Sequence, residues 1–374
     1  MNFTRREFAR AIGVGAAAST FSPAARILNQ SPDPRQSGAQ PRKVGYCIAG
    51  LGRISMDHFM PACNMSQRSR VTALVSGHRD KAEKMASQYN VPPKNIYSYE
   101  TYNEIADNKD IDAVYIALPN GMHTEYTIRA ANAGKHVLCE KPMATTVKDS
   151  QAMIDACKAA NKKLMIAYRC QYEPTNLRAI QLIRDGKLGT IQAIESANGF
   201  TEHAGEWRLN RKLAGGGPLM DVGIYSLNAC RYLTREEPAY IQGYASVIDH
   251  DGRFKEVEEN VSWTMKFPSG IVASCNTTYG AEMPGFFRVH GSKGMIHMEP
   301  AFSYQGLHLR AKIADEPPID EPNNQKDPYQ FVLEADDFAE CILQNKEPKA
   351  NGEEGLRDMR WMAEIYKSAG VKQA

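Results

Sequence analysis

The sequence predicts an α/β chain in two halves: a doubly wound parallel sheet over residues 43–165, then an α+β half over 166–374 built on a large, mostly antiparallel sheet. Three observations carry this. Short apolar runs alternate with amphipathic stretches from Val44 to Tyr168, the pattern of repeated strand–helix–strand units. Gly50-x-Gly52 follows the first of those runs directly. From Ala239 to Met298 the period shortens to strands separated by Pro268-Ser269-Gly270, Pro284-Gly285 and Gly291-Ser292-Lys293-Gly294, as in an antiparallel sheet.

The chain has 374 residues, 43% hydrophobic and 24% charged, which suits a soluble protein with more than one core. Its formal net charge of +2 equals the contribution of Arg5, Arg6 and Arg10 against Glu7, so nothing recommends a nucleic-acid partner. The eight cysteines form no CxxC pair and the nine histidines no HxH or HExxH, so buried thiols and no metal are expected.

Thr4-Arg5-Arg6-Glu7-Phe8 precedes a small-residue apolar run ending near Ala24-Ala25. That run is too short and too rich in Gly and Ala to span a bilayer, so residues 1–25 read as a twin-arginine signal peptide, with no membrane anchor and a periplasmic destination for the folded protein. The alternative is an amphipathic N-terminal helix. Residues 26–42, with Pro32, Pro34 and Pro41, read as an extended proline-rich arm.

Within 43–165, Val44–Ala49 is a strand and Gly50, Leu51, Gly52, Arg53 and Ile54 form the turn into a helix, with Ser55 in place of a third glycine. Gly50 permits the tight turn and Gly52 the close approach of a pyrophosphate, the dinucleotide-binding arrangement of a Rossmann domain. The second strand, Val71–Val75, ends in Ser76-Gly77-His78-Arg79-Asp80-Lys81. A hydroxyl with cations behind it, where an NAD site usually has a carboxylate, favours NADP; the alternative is an ordinary basic loop. Thr101 to Glu104 has the spacing of a capping box opening a helix. The strand Asp112–Leu118 ends in Pro119-Asn120, with His123 in the following helix. Val137–Cys139 is a buried strand whose tip carries Glu140-Lys141-Pro142, where a partly desolvated lysine held charged by Glu140 could serve a substrate oxygen. The alternative is a surface Glu–Lys pair. A helix over 148–160 and a strand over 163–168 complete this half.

In the second half, Tyr168-Arg169 lies at the last parallel strand's tip, and Trp207 beside Arg208 could clamp a planar ring or a sugar or belong to the core. Gly215-Gly216-Gly217 leads into a helix on which Asp221 and Tyr225, four apart, share a face, so a carboxylate and a phenol could bind and deprotonate a carbinol. Otherwise they are a helix cap and a packing group. Tyr304 falls in a loop, and helices over 329–343 and 352–368 end the chain.

Together Gly50-x-Gly52, Pro119-Asn120-x-x-His123, Glu140-Lys141-Pro142 and Gly215-Gly216-Gly217-x-Leu219-x-Asp221-x-Gly223-x-Tyr225 resemble the Gfo/Idh/MocA oxidoreductase family over about residues 43–370. Leu74-Val75-Ser76-Gly77, Glu140 to Thr145, Trp207-Arg208-Leu209 and Tyr225, where most of the family has His, are similar to its glucose-fructose oxidoreductase subgroup. Arg53 and the segment 200–205 depart from it. The resemblance implies NADP contacts at Gly50, Leu51, Gly52, Arg53, Ile54, Ser76, Lys81, Tyr99, Leu118, Pro119, Asn120, His123, Glu140, Lys141, Arg169, Trp207, Arg208 and Tyr304. It also implies a six-stranded antiparallel sheet whose open face makes a homo-oligomer, dimer or tetramer.

The implied chemistry is a ping-pong cycle on tightly held NADP: an aldose such as glucose is oxidised at C1 to the lactone, and a second sugar, such as fructose or another aldose, is reduced. Lys141, Tyr225 and Asp221 would be catalytic, Tyr225 removing the hydroxyl proton with its phenol pKa lowered by Lys141. The rivals are an NADP-dependent aldose dehydrogenase with exchangeable cofactor, an NAD-dependent glycosidase of the same fold, and a non-catalytic sugar or nucleotide binder.

Overall fold

The computed structural model describes residues 42–372. The leader over 1–25 and all of the proline-rich arm except Arg42 lie outside the described residues.

Six wholly buried residues, Val44–Ala49, make β1, the strand at the centre of the first sheet. Around it lie β2 (Ser69–Val75), β3 (Ile96–Tyr97), β4 (Ala113–Ile116), β5 (His136–Glu140) and β6 (Leu164–Ala167), all parallel, in the order β3-β2-β1-β4-β5-β6. The order reverses between β1 and β4, and a crevice opens outside the carboxyl ends there. The connections are a π-helical turn Ile54–Phe59 running into α1 (Met60–Met65), then α2 (Arg79–Gln88), α3 (Asn120–Asn132) and α4 (Val147–Ala159). The capping-box helix does not form. Thr101 Oγ1 accepts the Ser98 amide (3.0 Å), which closes a local turn instead of capping, and Tyr102–Asp107 is wound as a 3₁₀ segment.

After α5 (Pro174–Arg184) the second sheet begins with β7 (Ile191–Gly199). The chain passes through α6 (Arg211–Ala214), a π-helical turn Leu219–Gly223 and α7 (Ile224–Thr234) before β8 (Tyr240–Ser246), β9 (Asn260–Lys266) and β10 (Val272–Thr278). β11 (Met283–Gly291), β12 (Gly294–Met298), β13 (His308–Ile313) and β14 (Ile319–Pro322) follow. The implied six-stranded antiparallel sheet is corrected on two counts. The sheet has eight strands, ordered β14-β13-β12-β11-β7-β10-β9-β8, and β7 and β10 run parallel. The helical crossover explains the second point: α7 packs on both β7 and β10, and such a connection returns the chain in the same direction.

The last two helices serve both sheets. α8 (Tyr329–Leu343) lies on β1 and β2, with the Tyr46 hydroxyl donating to the Ala335 carbonyl (3.3 Å). α9 (Gly352–Ser368), capped by Asn351 accepting the Glu354 amide (3.0 Å), packs against α4, β6 and β8. All eight cysteines are buried and free.

Candidate active site at the parallel sheet's carboxyl edge

A cavity of about 780 Å³, of the size that takes a cofactor and a small molecule, opens at the carboxyl edge of β1, β2, β4, β5 and β6. Every residue named above as catalytic or cofactor-binding lines it, from Gly50 through Tyr304. Gly77, His78, Ala117 and Glu206 line it too and were not anticipated.

At one end is the glycine turn. Gly50 has φ +96°, and a Cβ there would meet the Ala117 carbonyl at 2.5 Å, whereas a Cβ on Gly52 would meet nothing within 4 Å. The backbone at Gly52 is therefore open to a bound group, as a pyrophosphate cradle requires. Ser55, wholly buried, donates to the Gly50 carbonyl (2.6 Å) and so closes the turn in the third glycine's place. At the tip of β2, the Ser76 hydroxyl oxygen accepts the His78 amide (3.0 Å), with Lys81 and Tyr99 beside it. The carboxylates lining the cavity are Glu140, Glu206 and Asp221, all gathered at its other end around Lys141 and Arg208. This end thus suits a dinucleotide with an additional phosphate.

Two lining residues are held from behind. Asn120 Nδ2 donates to the Ala214 carbonyl (2.8 Å). His123 is wholly buried, its ring nitrogens 2.9 Å from the Leu118 and Pro142 carbonyls, and burial pushes its pKa down. Its imidazole is spent on joining the β4 and β5 tips.

At the other end Lys141 Nζ donates to Asp221 twice, to the backbone carbonyl (2.6 Å) and to Oδ1 (3.1 Å). Asp221 Oδ2 accepts from Arg208 Nε (2.9 Å) and from the Tyr279 hydroxyl (2.9 Å). Burial pushes the Asp221 carboxyl up, but Lys141 and Arg208 outweigh it and hold the group well below the usual carboxylate range. Asp221 is therefore a fixed anion that positions Lys141, not a base. Lys141's partner is thus Asp221. Glu140 instead accepts the Tyr115 hydroxyl (2.6 Å), and burial raises its pKa. Tyr279 went unseen because it comes 58 residues after Asp221, on another strand end, with no local motif to mark it.

Tyr225 lies across from Lys141, whose Nζ is 4.9 Å from the ring centroid, over the face. The expectation that Lys141 lowers the phenol's pKa is corrected. Burial raises that pKa, and the cation at its oxygen is Arg169, whose Nη2 donates to the hydroxyl at 3.1 Å. Lys141 meets the ring face, not the oxygen. The regular helical face shared by Asp221 and Tyr225 is also modified, since the π-helical turn over Leu219–Gly223 separates them and sends one to Lys141 and Arg208, the other to Arg169. The three glycines before them admit neighbouring groups, not a ligand: Cβ atoms at Gly215, Gly216 and Gly217 would strike Thr145, the Tyr366 hydroxyl and the Glu258 carbonyl. Trp207 is half-buried with the Arg208 guanidinium 4.9 Å from its ring. Tyr304 has the Arg169 guanidinium 4.4 Å from its ring and the His58 ring 4.1 Å away, tilted by 38°.

The model of an oxidoreductase family with an NAD-binding Rossmann fold matches residues 44–168, and that of the GFO/IDH/MocA C-terminal domain matches 176–297. The D-xylose 1-dehydrogenase [NADP(+)] of Haloarcula marismortui is 31% identical over 343 residues, 90% of this chain and 94% of its own. The crystal structure of aldose-aldose oxidoreductase from Caulobacter crescentus, complexed with glycerol, superposes with a TM-score of 0.85 at 46% identity, covering 88% of this chain and 98% of that one. A 3-ketoreductase from Actinomadura kijaniata, in complex with NADP and TDP-benzene, shares the fold (TM-score 0.76) at 20% identity. The chain belongs to the Gfo/Idh/MocA family of oxidoreductases.

Proposed function

We propose that this protein is an NADP-dependent sugar oxidoreductase that keeps its cofactor bound, oxidises an aldose at C1 to the lactone and reduces a second sugar, an aldose or a ketose such as fructose. The carrying observation is that Lys141, Asp221 and Tyr225, brought from both sheets, face the cavity that begins at the Gly50–Gly52 turn. The 46% identity to an aldose-aldose oxidoreductase over 88% of the chain supports the same reading. When bound, the nicotinamide supplies the hydride acceptor and donor. The chain's own residues do the rest. Ser76 and Lys81 would hold the 2′-phosphate. Lys141, with two of its hydrogens committed to Asp221, presents the third to the sugar's C1 oxygen. Tyr225, whose oxygen accepts from Arg169, exchanges a proton with that oxygen. Trp207 offers an apolar ring face to the sugar, and Glu206 a carboxylate to its hydroxyls.

Two further elements belong to this reading. The twin-arginine leader exports the folded protein to the periplasm, and a cycle between two sugars runs there without free NADPH. The open face of the second sheet, with Tyr240 73% and Tyr244 68% exposed, joins copies into a dimer or tetramer.

A second reading, an aldose dehydrogenase with exchangeable NADP, is favoured by the similarity to D-xylose 1-dehydrogenase. One experiment separates them. Purified protein without added cofactor is given glucose, then fructose or a second aldose, while absorbance and fluorescence are followed. A reduced-nicotinamide signal that rises and then vanishes supports the two-sugar cycle. A signal that needs added NADP and xylose or glucose supports the dehydrogenase, and none under either condition refutes both.

A further inference from the structure

Arg169 follows β6 at its carboxyl end and is only 5% exposed, yet among the described residues no carboxylate lies within ion-pair distance of it. Its Nη1 donates to the Ser303 carbonyl (3.2 Å) and to Gln330 Oε1 (2.8 Å). Its Nη2 donates to the Phe302 carbonyl (2.5 Å) and to the Tyr225 hydroxyl (3.1 Å), while Nε has no partner. Removing a guanidinium from water without a counter-ion is expensive, so the missing carboxylate needs an explanation.

An acid is close by and is withheld. Glu334, one turn beyond Gln330 on α8, is wholly buried, with neither carboxyl oxygen hydrogen-bonded. Burial, and then the charge of Glu140, push its pKa far up against the pull of Arg169, which favours the neutral acid and leaves Arg169's charge uncancelled. Glu140 is also raised by burial and is occupied by Tyr115. The other groups facing Arg169 are Tyr225, Tyr304, Tyr232 and the Cys170 thiol, with Lys141 across the Tyr225 ring. Of these, the phenol oxygen of Tyr225 is the titratable atom that the guanidinium touches.

We infer that Arg169 is a positioning residue for proton transfer: its uncompensated guanidinium, clamped by Gln330 and the Phe302 and Ser303 carbonyls, stabilises the phenolate of Tyr225 and aims that oxygen at the sugar. Burial holds the phenol's proton and the guanidinium works against that hold, so that the proton can pass to water through the cavity mouth and the phenolate can then take the proton of the sugar's C1 hydroxyl. This inference rests on the role given to Tyr225 in the proposed function.

The test is a single-turnover measurement: formation of reduced nicotinamide on adding glucose to the NADP-loaded protein, across pH. In Arg169→Gln the pH of half-maximal rate should rise by about one unit or more, since a cation within hydrogen-bond range lowers a neighbouring acid by that order. Arg169→Lys should shift it less. An Arg169→Gln protein that retains NADP and whose profile overlays the parent's overturns the inference. Glu334→Gln, isosteric with the neutral acid, should leave the profile in place; a shift to lower pH would mean an ionised carboxylate had been cancelling Arg169, which also overturns it. Should Arg169→Gln fail to fold, Arg169→Lys and Glu334→Gln carry the same comparisons. The two readings fail separately. Undiminished turnover in Tyr225→Phe removes the phenol from the proposed function, whereas a crippled Tyr225→Phe beside an unshifted Arg169→Gln sinks this inference alone.

Discussion

Arg231 and Arg169 are buried to nearly the same degree, 4% and 5% exposed, but in opposite company. Arg231, on α7, meets Glu237 (2.7 Å), Glu354 (3.0 Å) and Asp358 (2.5 Å), and so ties α7 to α9 behind the second sheet. Arg169 meets carbonyls, an amide and a phenol. Burial raises the Asp358 carboxyl to about 6, and Arg231 is the strongest group working against that rise. At Arg231 each charge is spent on another within the fold, while at Arg169 the charge is left over beside the reacting groups. The contrast separates a cation that holds the structure from one that serves the site.

The sharpest separation should be in rate. Tyr225→Phe removes the oxygen that Arg169 serves and should reduce single-turnover sugar oxidation by about 10²–10⁴-fold while NADP content, read from absorbance, is kept. Next comes stability. Arg231→Met strands the wholly buried Asp358 without its cation, while Glu354 keeps Arg357, and should cost about 3–5 kcal/mol in denaturant unfolding. Arg169→Gln strands no carboxylate and should cost clearly less. Equal losses from the two substitutions would break the comparison.

The same contrast explains what was legible in the sequence. Gly50-x-Gly52, Ser76, Pro119-Asn120 and Glu140-Lys141 each stand directly after an apolar strand, and in a parallel sheet every such position falls on one edge. Order along the chain was enough to gather them. Pairings across the chain were not. Tyr279 with Asp221, Glu334 near Arg169, and the parallel run of β7 beside β10 depend on where distant segments fold back, and no local spacing encodes that. The Thr101–Glu104 spacing misled for the converse reason, because Ser98 offered Thr101 a nearer partner than the helix amide. Tyr225 lines the cavity as expected, but its cation was misassigned. Lys141 stands in the Glu-Lys-Pro motif but meets only the ring face, whereas Arg169, from the tip of β6, reaches the oxygen.

A half-buried basic group extends the comparison to pH. His136 Nδ1 accepts the Lys163 amide at 3.0 Å, which needs the neutral ring, and burial together with Lys162 and Lys163 lowers its pKa from 6.5 to about 4. Between those values the unfolded chain binds the proton and the folded one does not. Stability is therefore full above about pH 6.5 and falls as pH drops toward 4, by about 1–3 kcal/mol from this residue. Melting temperatures over that window should fall less steeply in His136→Asn. An unchanged slope would assign the acid loss to carboxylates.

The smallest effect expected is at the far end of the cavity, where Lys81 is only half-buried. Ser76 terminates β2 with its oxygen on the His78 amide, and Lys81 lines the cavity beside it, while the lining carboxylates all lie near Lys141 and Arg208. Ser76→Asp sets an anion where a 2′-phosphate would lie and offers an acceptor to a ribose hydroxyl in its place. Because the site is open to water and salt, the repulsion is screened and the shift in NADP-over-NAD preference should be about tenfold, near 1.4 kcal/mol. Titration of the cofactor-stripped variant with each dinucleotide reads it directly. An unaltered ratio would move the 2′-phosphate away from Ser76 and Lys81, leaving Arg53, which follows Gly52 in the glycine turn and also lines the cavity, as the cation to test next.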